Sequence, residues 1–137
     1  MSFRPAAEIG MPLAAVDTPC LLLELDAFEH NLRRLPESLH GRNVRLRPHA
    51  KSHKCPEIAL RQIALGAVGV CVQKASEAEA LVAGGVRDVL IANEVVGAPK
   101  VKLVAELNRH AHVAVCADDA GNVAALDAAA RAAGITL

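Results

Sequence analysis

The sequence predicts an α/β fold in which βα units are arranged around a parallel sheet. Short runs suited to strands recur at near-constant spacing, residues that start and stop helices lie between them, and most of the runs are apolar, as strands covered on both faces should be. The runs begin at Leu21 (LLLEL), Val44 (VRLRPHA), Val68 (VGVCV), Val89 (VLIAN) and Val113 (VAVCA), and a sixth opens at Ile135. Successive starts are 23, 24, 21, 24 and 22 residues apart.

Each intervening stretch carries its own punctuation. Asp26 with Glu29, and Ser76 with Glu79, have the spacing of a capping box, which satisfies the free amides of a first helical turn. Pro56 and Pro99 stand where a first turn should begin, since proline lacks the amide that goes unused there. Gly66, Gly84, Gly85 and Gly134 fall where helices should end. Asp118 or Asp119 is placed to cap the Ala-rich last helix. The regular period, with no Gly-rich dinucleotide loop after the first run, favours a (β/α)8 TIM-type barrel over a Rossmann sheet. A closed barrel needs eight strands and about 250 residues. Five units and the opening of a sixth are present, so residues 1–137 are expected to form the N-terminal part of such a barrel, with the remainder absent.

Composition narrows the function. Fifteen basic and fifteen acidic residues balance, giving no electrostatic case for nucleic acid or an anionic membrane. With no Trp or Tyr and two Phe, the chain has no platform for stacking bases. The opening residues, which include Arg4 and Glu8, contain no apolar run of signal-peptide length, and nothing approaches a membrane span of roughly twenty apolar residues. A cytoplasmic protein is expected. Cys20, Cys55, Cys71 and Cys116 are widely spaced without a C-x-x-C pair, against a disulfide framework or structural zinc.

The second run breaks the apolar pattern. Arg45, Arg47, His49 and Lys51 share one parity, while Val44, Leu46, Pro48 and Ala50 share the other. Side chains alternate along a strand, so the polar groups face one side. If the apolar parity meets the helices, the polar parity faces the barrel interior and Lys51 stands at the strand's C-terminal end, where such barrels keep their active sites. A solvated edge strand is the alternative. In the functional case, cationic neighbours and a partly dry setting disfavour the ammonium form of Lys51, leaving an amine suited to imine formation.

Other candidates surround it. Arg47 is suited to tune Lys51 or hold a phosphate or carboxylate, or else to form an internal ion pair. His49 is a neighbour on the Lys51 face or a hydrogen-bonded structural histidine. His49 and His53 would form a metal pair only on a helix, which a strand and turn would not supply. Gln73 ends its strand at the level of Lys51, able to bond a ligand or cap the next helix. Asn93 and Glu94 end the following strand. Cys55 reads as part of a turn, and His110 and His112 as surface residues at the opposite end.

The segments RPHAKSHKCPEIALRQ, DTPCLLLELDAFEHNLRRL and GVCVQKASEAEALVAGGVRDVLIANEVVG resemble the D-threonine aldolase and D-serine dehydratase group, including the 3-hydroxy-D-aspartate aldolases, within the alanine racemase-like class of pyridoxal-phosphate enzymes. The resemblance covers most of residues 16–137. It implies that Lys51 binds pyridoxal 5'-phosphate covalently and supports Gln73 as a cofactor contact. His49 and Arg47 join them as cofactor-binding candidates by their place on the Lys51 face, and Lys54, of opposite parity, is the lesser candidate for the lysine. The resemblance further implies cleavage of a β-hydroxy D-amino acid to glycine and an aldehyde, a small-molecule substrate and a homodimer at full length. A divalent metal (Mg, Mn or Zn type) is also implied, held by a C-terminal β domain that this chain lacks. D-serine dehydratase chemistry and an inactive cofactor-binding module are the alternatives. The wording of AKSHKCPEIALRQ and VCVQKASEAE inclines to the aldolase.

Overall fold

The computed structural model describes residues 7–137; Arg4 lies outside them. Five helices and three strands follow the predicted alternation: α1 (Leu25–Leu39), α2 (Pro56–Ala64), β1 (Val70–Val72), α3 (Ala75–Ala83), β2 (Asp88–Glu94), α4 (Ala98–Leu107), β3 (His112–Cys116) and α5 (Ala120–Ala133). The strands are parallel in the order β1-β2-β3. Val70, Val89 and Val113 stand in register, as do Cys71, Leu90 and Ala114 one residue further on.

Parity divides the sheet into two faces. Val70, Val72, Val89, Ile91 and Val113 are buried against the helical layer, where they meet Ala59 of α2, Ala78 and Leu81 of α3, Val104 of α4 and Leu126 of α5. Cys71, Leu90 and Ala114 occupy the other face and are only half-buried. The described residues thus form an open arc with its core on the convex, helical side, the partial barrel that the period predicts.

The first two predicted strands need correction. Leu21–Glu24 form no strand; Glu24 instead caps α1, accepting hydrogen bonds from the amides of Asp26 (3.0 Å) and Ala27 (2.6 Å). Without a neighbouring strand to pair with, local capping prevails over strand propensity. The Val44–Ala50 run is extended alongside β1 but is not a regular strand. Val68 donates to the Leu46 carbonyl (2.9 Å), Cys71 to that of Pro48 (2.8 Å), and Ala50 to that of Cys71 (2.7 Å). His49 pairs in parallel with Cys71 as an isolated bridge. Leu46, Pro48 and Ala50 direct their backbone groups at β1, and Pro48 has no amide to donate, so the ladder is interrupted at its centre.

Two capping boxes also give way. α1 starts at Leu25, which puts Asp26 inside its first turn, and α3 starts at Ala75 after Lys74, so Ser76 is already helical. The other signals stand: Pro56 and Pro99 lie in first turns, Asp119 accepts the Asn122 amide at 2.8 Å, and Gly134 ends α5 in the left-handed conformation that glycine adopts without steric cost. No strand forms at Ile135; its amide instead bonds the Ala130 carbonyl at the end of α5.

Candidate functional site

Lys51 directly follows Ala50, the last residue of the second run to bond β1. It therefore stands at the C-terminal end of the arc, and its amide donates to Nδ1 of His49 at 3.3 Å. The amine of Lys51 makes no hydrogen bond or ion pair among the described residues. The side chain is exposed, so the partly dry setting expected for it is not supplied by these residues, whose inner face is open.

A tight turn holds the lysine's backbone. The Lys54 amide donates to the Ala50 carbonyl at 2.8 Å, and Lys54 itself has φ of 52°, the one positive value at a non-glycine residue among those described. The turn continues into α2 through His53, whose Nδ1 accepts the Cys55 amide at 3.1 Å. Burial pulls the His53 pKa below its ordinary value, against opposing effects of nearby Gln62 and the Cys55 amide. Cys55 donates its thiol to Glu57 at 3.0 Å, consistent with a turn residue. On the outer side, Leu46, Pro48 and His53 line an apolar cavity of about 400 Å³ with Phe28, Leu32 and Ile58, which places the apolar parity against α1 and α2.

Gln73 follows the last residue of β1 and lies at the same end of the arc as Lys51. Its carbonyl accepts from Asn93 Nδ2 at 3.4 Å, and its amide donates to Glu77 at 3.0 Å. The side chain caps no helix: α3 begins after Lys74 with no side-chain cap. A cleft of about 460 Å³ opens here, lined by Gln73, Lys74, Ser76, Asn93, Glu94 and Lys100.

Below this level His49 lies beside Cys71. Burial pushes the Cys71 thiol's pKa up, although the nearby charges of Arg47 and Lys51 pull the other way. Lower still, Arg47 takes the internal ion pair that its sequence left open. Nη1 donates to Asp88 at 2.7 Å and to the Val70 carbonyl at 3.3 Å, at the N-terminal end of β2 and away from Lys51. Exposed His112 approaches the same carboxylate at 3.4 Å. The structure thus places Lys51 and Gln73 at one end, His49 between, and Arg47 at the other. Sequence reasoning missed Asp88, Glu77 and the turn-setting role of Lys54.

The profile of the alanine racemase N-terminal domain matches residues 23–137. The chain belongs to this family. Within the alanine racemase N-terminal family, it is 53% identical over 134 residues to a D-threonine aldolase of Arthrobacter sp., covering 98% of this chain and 35% of that protein. It is 45% identical over 130 residues to a 3-hydroxy-D-aspartate aldolase of Paracoccus denitrificans, covering 93% and 34%. A D-threo-3-hydroxyaspartate dehydratase of Delftia sp. is 39% identical over 80 residues, 58% of this chain and 21% of that one. The crystal structure of D-threonine aldolase from Filomicrobium marinum superposes with a TM-score of 0.94 at 56% identity, covering 98% of this chain and 37% of that one. The chain spans about a third of the length of the two aldolases. No helix among the described residues is long and apolar enough to cross a membrane.

Proposed function

We propose that this chain is the N-terminal part of the cofactor barrel of a pyridoxal-phosphate-dependent lyase, which cleaves a β-hydroxy D-amino acid of the D-threonine or 3-hydroxy-D-aspartate type to glycine and an aldehyde. The observation that carries this is Lys51: an uncommitted primary amine at the C-terminal end of the arc, in a chain 53% identical to a D-threonine aldolase. The donor set fits the cofactor. A free amine suits its aldehyde, the Gln73 carboxamide is unused, and the cleft beside it carries Lys74 and Lys100 for anionic oxygens. Pyridoxal phosphate, when bound, supplies the electron sink for the bond broken at the substrate's α-carbon.

The residues divide the work by level. Lys51 holds the cofactor's aldehyde, Gln73 orients the group from the neighbouring strand end, and His49 lines the face beneath. Arg47 acts from below, holding the extended run that precedes Lys51 by its bond to Asp88. Among the described residues no cluster of three or more His, Cys, Asp or Glu is placed to hold a metal. The divalent ion of the proposal, which would act as a Lewis acid on the substrate hydroxyl, is assigned to ligands in a C-terminal β domain. The full-length enzyme is proposed to be a cytoplasmic homodimer.

Borohydride reduction of the full-length, cofactor-loaded enzyme followed by peptide mapping tests the assignment. The expected result is a pyridoxyl adduct on Lys51 that disappears in Lys51→Ala; an adduct on another lysine, or none, overturns it. Product analysis separates the chemistries, since an aldolase releases glycine and a dehydratase releases ammonia and a keto acid.

A further inference from the structure

Glu77, in the first turn of α3, links the turn that follows Lys51 to Gln73 at the end of β1. Its Oε2 accepts the Gln73 amide at 3.0 Å, and its Oε1 lies 3.5 Å from Nζ of Lys54. The carboxylate side chain is only 11% exposed although it sits at the mouth of an open arc. A residue serving the start of α3 alone would need one of these contacts. The second oxygen reaches into a different βα unit, to the one residue that holds the Lys51 turn in a left-handed conformation. That conformation crowds a lysine's Cβ against its own backbone and persists only where its surroundings enforce it. Lys54 is held from two sides, by its amide on the Ala50 carbonyl and its ammonium on Glu77. Burial works against the Glu77 carboxylate, but the Gln73 amide and Lys54 outweigh it and keep its pKa below the ordinary carboxylate value.

We propose that Glu77 is a positioning residue for the cofactor site, a clamp that fixes the Lys51 turn relative to Gln73 through Lys54. The role rests on the assignment of Lys51 as the cofactor lysine. It predicts that Glu77 and Lys54 act as a unit on a site that neither is required to touch.

The test uses the full-length enzyme with Glu77→Gln, Lys54→Met, the double variant and Lys54→Arg. Glutamine keeps an acceptor for the Gln73 amide but offers Lys54 no charge. The readouts are the pyridoxal-phosphate dissociation constant, amide hydrogen exchange of residues 49–57 in the cofactor-free protein, and Tm. Each single variant should weaken cofactor binding about three- to tenfold and speed exchange in the Lys51 turn. The double variant should be no worse than the worse single, and Lys54→Arg should restore binding. A lower Tm in Glu77→Gln with unchanged cofactor affinity and turn exchange, or a silent Lys54→Met, overturns the clamp. Should Glu77→Gln fail to fold, the exposed Lys54 carries the same test. Absence of an adduct on Lys51 in the unmutated enzyme would remove the cofactor assignment, while exchange in the cofactor-free protein still decides whether the clamp exists.

Discussion

Arg47 and Asp88, 41 residues apart in the chain, meet at 2.7 Å beneath the level of Lys51. The pair ties the second run, which lacks a regular ladder, to the first residue of β2. Burial raises the Asp88 pKa, but the hydrogen bond and charge of Arg47, with His112 adding to both, outweigh it and leave the carboxyl below its ordinary value. A group depressed on folding contributes stability above its unfolded pKa of about 3.9 and loses it as pH falls through the folded value.

Loss of that pair should therefore be visible in acid. Arg47→Met is expected to destabilise the full-length protein by about 1 kcal/mol at pH 7, modest because both partners are partly solvated. Asp88→Asn should lose its share at neutral pH yet flatten the decline below about pH 4. Denaturant titrations between pH 7 and 3 check both. An Asp88→Asn acid limb as steep as that of the unmutated protein would show that the pair contributes nothing.

Gly69 lies under the same ion pair. A Cβ built there would fall 2.5 Å from the Asp88 carbonyl oxygen and 2.6 Å from Arg47 Nη1. Backbone cannot yield as a flexible side chain can, so Gly69→Ala must push β1 from β2 or break the pair. The expected cost is about 2–4 kcal/mol, read as a lower denaturation midpoint. In Arg47→Met the same substitution should cost less, because the guanidinium is gone and only the Asp88 atoms still obstruct the new methyl group.

What was legible in the sequence follows from what is local. Pro56, Pro99, Asp119 and Gly134 act through neighbouring backbone, and each does in the structure what its position implies; of the six periodic runs, those at Val68, Val89 and Val113 yield the strands. The parity of Leu46, Pro48 and Ala50 against Arg47, His49 and Lys51 was legible for the same reason. LLLEL was not, because a strand exists only with a partner, whereas Glu24 needs nothing beyond two adjacent amides. Glu77 was hidden beside a second acid, Glu79, near one helix start, and only the position of Lys54 in space distinguishes it. Asp88 left a trace, a charge directly before the apolar run Val89–Ala92, but its partner lies 41 residues away.

Gln73 separates binding from stability. Its backbone is engaged at both amide and carbonyl, but its carboxamide makes no hydrogen bond among the described residues. Gln73→Ala should thus leave Tm of the cofactor-free protein within about 1 °C, since a surface change of this kind is worth under about 0.5 kcal/mol. If the carboxamide bonds pyridoxal phosphate, the dissociation constant should rise about fivefold, the worth of one neutral hydrogen bond. Equilibrium dialysis with thermal melts provides the comparison. Unchanged affinity would remove Gln73 from the proposed cofactor contacts.

The arc also predicts how the 137-residue chain behaves alone. Leu21, Leu22, Leu23 and Leu25 are 103, 63, 56 and 60% exposed in one short stretch, and the inner face presents half-buried Leu90 and Ala114. Fully burying a leucine is worth about 1.5–3 kcal/mol, so four adjacent ones provide a strong drive to associate. β3 is a sheet edge among the described residues, and its unpaired backbone groups offer a second route to the same end. The isolated chain should run as oligomers at micromolar concentration in light-scattering chromatography and bind pyridoxal phosphate weakly. Leu21→Lys with Leu23→Lys should shift it toward smaller species if the leucine stretch dominates, and leave the distribution unchanged if the β3 edge does. A monodisperse, stable monomer that binds the cofactor tightly would mean that neither surface needs covering.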